Sequence, residues 1–176
     1  ELNFAQFGDT IFVTHRNNAT RKIFRASATS FTVGTFEFSS HSTGYPRYQP
    51  YFKYALSSVT LTAAATSGTS VNITASAGIF DSNVKEIDIT SRSSTTVVVG
   101  NIRETLADTN ATANWDEQTM SDHRGYPQAV TFHGNRLWFG GLYSRPAAVL
   151  ASTISEYTNF SLGSAEADNA IDLDIS

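Results

Sequence analysis

Histidines and acidic residues, the side chains best suited to bind a metal ion or carry a proton, are scattered through the sequence. The histidines show no His-x-His or His-x-x-x-His spacing, which would bring two imidazoles onto one zinc ion. They are His15, His41, His123 and His133. The sequence also contains no cysteine, which excludes disulfides and thiolate sites. We therefore predict no metal centre and no cofactor.

The acidic residues near the C-terminus are a weak candidate for a cation site. Glu166, Asp168, Asp172 and Asp174 lack the glycine that lets a calcium loop of the EF-hand type turn. Asp172 and Asp174 alternate with apolar residues from position 171 to 175, as the side chains of a strand with one wet face do. The pattern favours a strand with its acids in water, and cation binding is the alternative.

Catalytic and phosphate-binding motifs are missing from the sequence. No Gly-x-Ser-x-Gly elbow marks a serine nucleophile. Gly140-Gly141 has neither the third glycine nor the following helix of a phosphate-binding loop. We predict that the chain is not an enzyme.

One aromatic segment has the composition of a binding surface. It contains Tyr45, Arg47, Tyr48, Tyr51, Phe52, Lys53 and Tyr54. Such rings stack on sugars or bases, but aromatics and arginine are also enriched in protein interfaces. We favour a subunit or domain interface, to which the Tyr143-Ser-Arg-Pro loop would add Tyr143 and Arg145.

Charge and hydropathy argue against two further classes of protein. The net charge is −4 and lysine and arginine form no block, unlike in a protein that binds phosphate backbones tightly. A mildly acidic surface past which DNA slides remains compatible with this charge. The apolar runs are far shorter than the roughly 20 residues of a membrane-spanning helix. We expect no membrane span and no specific binding of nucleic acid.

The elements that hold these residues are predicted to be β-strands. Short stretches rich in Val, Ile, Thr, Phe and Tyr alternate with clusters of Gly, Asn, Asp, Ser and Pro, which is typical of an all-β fold. One short helix is indicated at Asn101–Asp108, where Ile102 and Leu106 share a helical face.

An internal repeat organises these strands. An offset of 126 residues brings Gly8-Asp9 onto Gly134-Asn135 and Phe31 onto Tyr157, and the apolar stretches on both sides of the Gly-containing turn also coincide. Each copy reads as a hairpin, a polar loop, a third strand and an aromatic residue that begins a fourth. This is the pattern of one β-propeller blade, so we predict two propeller-like segments at residues 1–43 and 126–176.

A stretch of different composition separates the two copies. The tripeptide Gly-Tyr-Pro occurs at Gly44 and again at Gly125, and the intervening sequence is rich in Ser, Thr and Ala. We predict that residues 44–125 are a small inserted β-sandwich or barrel-like domain, because surface loops tolerate insertions. Its core is predicted to contain Leu61, Val71, Ile73, Ile79, Phe80, Val84, Ile87, Ile89, Val97, Val99 and Ile102.

Several motifs resemble those of one protein family. The run Arg124-Gly-Tyr-Pro-Gln-Ala-Val-Thr-Phe-His-Gly-Asn-Arg-Leu-Trp-Phe-Gly-Gly is similar to a stretch of the tail nozzle proteins, also called tail tubular protein B, of short-tailed bacteriophages and prophages. The opening run from Phe4 to His15 resembles an earlier segment of the same proteins. The likeness spans nearly the whole chain. Since the chain starts at Glu1 and its only methionine is Met120, we expect it to be a portion of a longer protein.

The resemblance implies a virion structural protein built around a β-propeller. Such nozzles assemble as a ring below the tail adaptor protein and form the distal channel through which DNA leaves the particle. It implies contacts with other copies of the chain and with the adaptor, passage of DNA without specific binding, and a place in the virion tail after assembly in the bacterial cytoplasm. The alternative is a carbohydrate- or receptor-binding β-module of a phage or bacterial surface protein, with the aromatic segment as its sugar platform.

Overall fold

A computed structural model describes residues 1–40, 48–79, 89–164 and 166–175 of the chain. Every regular element in these ranges is a β-strand, and the strands pair into antiparallel sheets, none of which closes into a barrel. The all-β prediction is therefore confirmed. The helix predicted at Asn101–Asp108 is wrong, because Ile102 ends a strand in which it pairs with Gly68.

The strands of the described residues follow one another along the chain. In order they are β1 Asn3–Phe7, β2 Thr10–His15, β3 Asn18–Ser27, β4 Ser30–Thr35, β5 Tyr51–Phe52, β6 Leu61–Ala63, β7 Gly68–Ala75, β8 Ile89–Arg92, β9 Val97–Ile102, β10 Glu117–Gln118, β11 Ala129–His133, β12 Arg136–Gly140, β13 Ala148–Ala151 and β14 Ile171–Asp174.

Contacts divide the chain into two units. Among the described residues, unit 1 contains 1–40, 48–50 and those from 119 onward, and unit 2 contains 51–79 and 89–118. The second unit is thus inserted between two parts of the first. Unit 1 resumes at Thr119, ahead of the boundary predicted near Gly125, because the chain just before β11 already contributes Met120 to the core of unit 1.

Unit 1 consists of two four-stranded antiparallel sheets. Sheet 1 has the order β1-β2-β3-β4 and sheet 2 the order β11-β12-β13-β14. The first hairpins of the two sheets coincide at the offset of 126 residues: Phe7 pairs with Thr10, and His133 pairs with Arg136. The glycine of each turn has a φ of 56°, a left-handed conformation that glycine adopts without steric cost.

The repeat weakens after the hairpin. Tyr157 does not begin the fourth strand of sheet 2, and that part of the prediction is wrong; the fourth strand is β14, which starts at Ile171. The connecting loop is held by Arg136, whose guanidinium donates to the carbonyl oxygens of Ser152, Ala167 and Asn169 at 2.5–2.6 Å. A buried arginine bonded to three carbonyls stabilises a long loop that the first copy does not have.

The two sheets of unit 1 share one core. Phe12 and Phe36 lie on the side of sheet 1 that we call its inner face, and they are buried with residues of sheet 2. Phe7, on the same face, contacts the rings of Phe132 and Tyr157 with centroid distances of 5.3 and 4.7 Å. The two sheets meet mainly along β1 and β11.

Unit 2 is built on sheet 3, of order β6-β7-β9-β8, with β5 and β10 forming a separate two-stranded ladder. Its fully buried centre is Val98, opposite Ile73. The prediction chose Val97 and Val99 instead, and both are only half-buried. Three successive valines carry no alternation, so the pairing partner decides which of them faces the core.

The rest of the predicted core of unit 2 is accounted for in two groups. Val71 and Ile73 are buried, with Leu61, Ile79, Ile89 and Ile102 packed against them. Phe80, Val84 and Ile87 lie outside the described residues.

Candidate functional site

The candidate site is the side of sheet 1 that faces away from sheet 2, which we call the open face. Strand pairing puts Phe4 with Val13, Ile11 with Ile23, and Ile23 with Val33 on this side. Paired residues share one side of a sheet. Phe31 precedes Val33 by two residues on β4 and lies on the same side. The open face therefore has apolar side chains on all four strands, together with Arg21 and Arg25 of β3.

Much of this apolar surface is in contact with solvent. Phe4 is 69% exposed, Phe31 62% and Val33 69%. Ile11, Val13 and Ile23 are half-buried between them. A contiguous apolar surface of this kind marks a contact site more often than a solvated surface.

The repeat identifies the equivalent surface of sheet 2. At the same offset, Phe4 and Val13 correspond to Val130 and Phe139, which are buried in the core of unit 1. Ile11 corresponds to Leu137, which is fully buried. The side of sheet 2 that carries Val130, Leu137 and Phe139 is covered by the inner face of sheet 1. The equivalent side of sheet 1 is exposed to solvent.

Sheet 2 has an apolar surface of its own on the side away from sheet 1, which we call the outer face. It contains Leu173 and Ile175, which are 55% and 70% exposed, and the half-buried Trp138, Val149 and Ile171. Strand pairing puts Trp138 beside Ala151 and Ala151 beside Ile171 on this side.

The outer face reverses the prediction for the acidic strand. Asp172 and Asp174 were expected in water, but their carboxylates accept hydrogen bonds from Arg145: 3.0 and 2.8 Å for Asp172 and 2.9 Å for Asp174. The Asp172 side chain is only 13% exposed. Asp174 is 45% exposed, as predicted, but Leu173 and Ile175 are exposed as well. The interpretation of a wet face is therefore wrong for Asp172, because it could not include the buried arginine.

Arg145 is also accounted for within the fold. Burial alone would lower the pKa of its guanidinium, but the hydrogen bonds and charges of Asp172 and Asp174 outweigh burial and raise that pKa above its usual value. Its partners belong to β14, so the side chain joins the loop before β13 to the edge strand of sheet 2. Its predicted part in an interface between subunits stays a prediction.

Tyr143, the other predicted residue of this loop, is about half exposed. The guanidinium carbon of Arg16 lies 5.0 Å from the centre of its ring, a cation–π contact. Beneath it lies Gly125, which is buried. Tyr143 is therefore held in one position while presenting part of its ring to solvent.

The predicted aromatic segment is distributed over both units. Tyr45 and Arg47 lie outside the described residues. Tyr48 belongs to unit 1, where its carbonyl oxygen accepts from the Phe160 amide at 2.9 Å. Tyr51, Phe52 and Tyr54 belong to unit 2: Tyr51 is 40% exposed, and the rings of Phe52 and Tyr54 meet edge to face at 5.0 Å.

Lys53, from the same segment, is engaged inside unit 2. Its ammonium group donates to the carbonyl oxygens of Val59 and Ala113 and lies 4.9 Å from the centre of the Trp115 ring. The Trp115 indole donates to the Val59 carbonyl at 2.9 Å. This cation fixes the chain around β5 and is not available to a ligand.

Two further features are absent from the residues that the structure describes. No group of three or more His, Cys, Asp or Glu side chains in the described ranges could hold a metal ion. Within the same ranges, no helix is long and apolar enough to cross a membrane.

The open face was missed by the sequence analysis, although a signal was present. In Ile11-Phe12-Val13, successive residues point to opposite sides of β2, and all three are apolar. A strand without alternation indicates a sheet that is covered on both sides. The lack of alternation in β2 therefore indicates a neighbour on each side of sheet 1, which the sequence analysis did not infer.

Comparisons with known proteins add no family. No protein-family model matches the chain. No curated protein matches it either. The resemblance to tail nozzle proteins therefore stays a prediction from the motifs of the sequence.

Proposed function

We propose that the chain is a virion structural component, part of the tail nozzle of a short-tailed phage, and that it builds the distal DNA-exit channel through contacts between subunits. In this proposal sheets 1 and 2 are neighbouring blades of a β-propeller and unit 2 is the inserted β-sandwich domain. The partners are other copies in a ring, the tail adaptor protein, and DNA that passes without specific binding.

The observation that carries the proposal is the stacking of two four-stranded sheets with equivalent first hairpins. Radial repetition of such sheets is the architecture of a propeller, in which neighbouring blades approach most closely at their first strands. The approach of β1 to β11 supports this arrangement. The open face of sheet 1 and the outer face of sheet 2 are the two surfaces on which further sheets would continue the series.

The net charge of the chain supports passage of DNA through a channel rather than tight binding of DNA. A net charge of −4 repels the phosphate backbone weakly, so DNA would move past the wall without being held. The proposed location is the tail of the virion, reached after assembly in the bacterial cytoplasm.

The test is immunogold electron microscopy of phage particles from the source of the chain, with an antibody raised against the 176-residue chain. We expect gold at the distal end of the tail in intact particles. Particles without label, or label on the capsid shell or on lateral fibres, would contradict the proposal.

A glycan array tests the alternative of a carbohydrate-binding module. We expect no saturable binding to any glycan. Binding that is lost in Tyr51→Ala, while Leu56→Ala in the same unit retains it, would favour the alternative; Leu56 is a suitable control because it is 77% exposed.

A further inference from the structure

We propose that Arg16 and Tyr143 form a contact site for a carboxylate of a partner protein. This contact belongs to the assembly described under the proposed function and rests on that function for the nature of the partner. Binding is measured with the isolated chain, so the carboxylate site and the location of the protein in a virion can fail separately.

The guanidinium of Arg16 is exposed and available for hydrogen bonding. Arg16 lies in the turn between β2 and β3. In the part of the chain that the structure describes, its guanidinium contacts the ring of Tyr143 and donates to no oxygen. Arg21 and Arg25 are also exposed, but their guanidinium groups donate hydrogen bonds within sheet 1. The N–H donors of Arg16 can therefore serve an acceptor from outside the chain.

Arg16 is held in place although it is exposed. Its guanidinium carbon lies 5.0 Å from the centre of the Tyr143 ring, and its carbonyl oxygen accepts the Tyr126 amide at 2.9 Å. Tyr143 in turn packs closely on Gly125, where an added Cβ atom would lie 2.3 Å from Cβ of Tyr143. A side chain that is fixed before binding loses less conformational entropy on binding than a mobile one.

A protein carboxylate is the acceptor that best fits this arrangement. Its two oxygens can accept two parallel N–H bonds from one guanidinium. Binding of a phosphate backbone depends on several cations acting together, whereas this chain has a net charge of −4 and no block of lysine or arginine. The half-exposed ring of Tyr143 adds an apolar surface beside the cation. Tyrosine and arginine together are typical of the residues that dominate protein interfaces.

The site lies outside the surfaces on which further sheets would stack. Arg16 belongs to the turn between β2 and β3, and Tyr143 to the connection between β12 and β13, so both lie at the ends of strands. The open face and the outer face are the sides of the sheets. Further sheets of a propeller would cover those sides and leave the turn and the connection accessible to another protein.

The experiment titrates the isotope-labelled 176-residue chain with the peptide acetyl-Gly-Phe-Glu-Phe-Gly-amide. NMR follows the backbone amide signal of Tyr143 and, where it is present, the Nε–H signal of Arg16. A second peptide with Gln in place of Glu has the same shape without the charge. Arg16→Gln and Arg16→Lys alter the site, and Arg21→Gln is the matched control, since Arg21 is exposed but bonded within sheet 1. Circular dichroism verifies the folding of each variant.

We expect a saturable shift of both signals with the Glu peptide and none with the Gln peptide, because only a carboxylate forms the charge-assisted pair. Arg16→Lys should weaken binding about tenfold, since an ammonium group lacks the planar fork of donors and loses one hydrogen bond to the carboxylate. Arg16→Gln should abolish binding, and Arg21→Gln should leave it unchanged.

Three results would overturn the inference. The first is the absence of a saturable shift with the Glu peptide. The second is an equal response to the Glu and Gln peptides. The third is a short thymidine oligonucleotide that binds more tightly than the Glu peptide and loses its binding in Arg16→Gln, which would make phosphate the ligand. Carboxylate binding by a chain that is absent from the virion tail would support the site and contradict the proposed function alone.

Discussion

Gly125 is the position at which a single added methyl group should harm unit 1 most clearly. It is buried with a φ of 80°. A Cβ atom built at this position would lie 2.3 Å from Cβ of Tyr143 and 3.2 Å from the carbonyl oxygen of Arg16. That carbonyl already accepts the Tyr126 amide at 2.9 Å, so it cannot withdraw without losing a hydrogen bond.

The expected cost of Gly125→Ala has two parts. A left-handed conformation costs an alanine about 1–2 kcal/mol. Forcing an atom into a filled site costs about 1–3 kcal/mol more. Gly8 and Gly134 separate the two parts, because each has a φ of 56° and an added Cβ at either would meet nothing within 4 Å. We expect Gly8→Ala and Gly134→Ala to lower the free energy of unfolding by the first part alone.

The assay is urea unfolding followed by tryptophan fluorescence. Trp138 reports on unit 1 and Trp115 on unit 2, so all variants are made with Trp115→Phe to isolate the signal of unit 1. We expect Gly125→Ala to reduce the free energy of unfolding of unit 1 by about 2–5 kcal/mol, well beyond the two controls.

A second substitution identifies the clashing atom. Tyr143→Gly removes the Cβ that the new methyl group would strike, whereas Tyr143→Ala keeps it. Gly125→Ala should therefore be less harmful in the Tyr143→Gly background than in the Tyr143→Ala background. Equal effects in both, or a Gly125→Ala variant no less stable than Gly134→Ala, would refute the packing argument.

Three further predictions concern other parts of the fold. Asp172→Asn should lower the free energy of unfolding of unit 1 by about 1–3 kcal/mol and Asp174→Asn by less than about 1 kcal/mol in urea titrations, because the Asp172 carboxylate makes two bonds and is 13% exposed, whereas the Asp174 carboxylate makes one and is 45% exposed. Val98→Ala should cost unit 2 about 1–3 kcal/mol and Val97→Ala less than half as much, measured by Trp115 emission; equal costs would contradict the observed pairing. Burial, and then the hydrogen bond to a neighbouring carboxylate, raises the pKa of Tyr126 above its ordinary 10.0. The stability that this provides is present below pH 10 and is lost as the pH rises above it, because the unfolded chain releases the proton first; Tyr126→Phe should make the decline of unfolding free energy above pH 10 shallower.

The sequence predicted strands best where they flank a turn whose residues, Gly-Asp or Gly-Asn, favour one turn type. The hairpin predicted in each copy of the repeat is present, as Asn3–Phe7 with Thr10–His15 and as Ala129–His133 with Arg136–Gly140, because Gly-Asp and Gly-Asn turns fix where the flanking strands begin and end. The two-stranded ladder of Tyr51–Phe52 with Glu117–Gln118 was not predicted. Its strands are far apart in sequence and too short to show a period, so only tertiary pairing defines them.

The assignment of faces failed for a different reason. Alternation indicates that two sides of a strand differ, but not which side is covered. The alternation in β14 predicted acids in water, but a buried cation 27 residues away, Arg145, binds Asp172 on the inner side of the sheet. That pairing could not be predicted from local pattern, since Arg145 precedes another strand.

The missed open face and the wrong assignment of Asp172 both concern sides of a sheet whose burial depends on a neighbouring sheet. β2 has apolar residues on both sides, and β14 directs its apolar residues away from its own core. A sheet that ended at solvent would lose nothing by having polar residues at Phe4, Val33 or Leu173, and the exposure of such side chains offers no stabilisation to the isolated chain. Apolar residues on the open and outer faces become stabilising only when another sheet removes them from water.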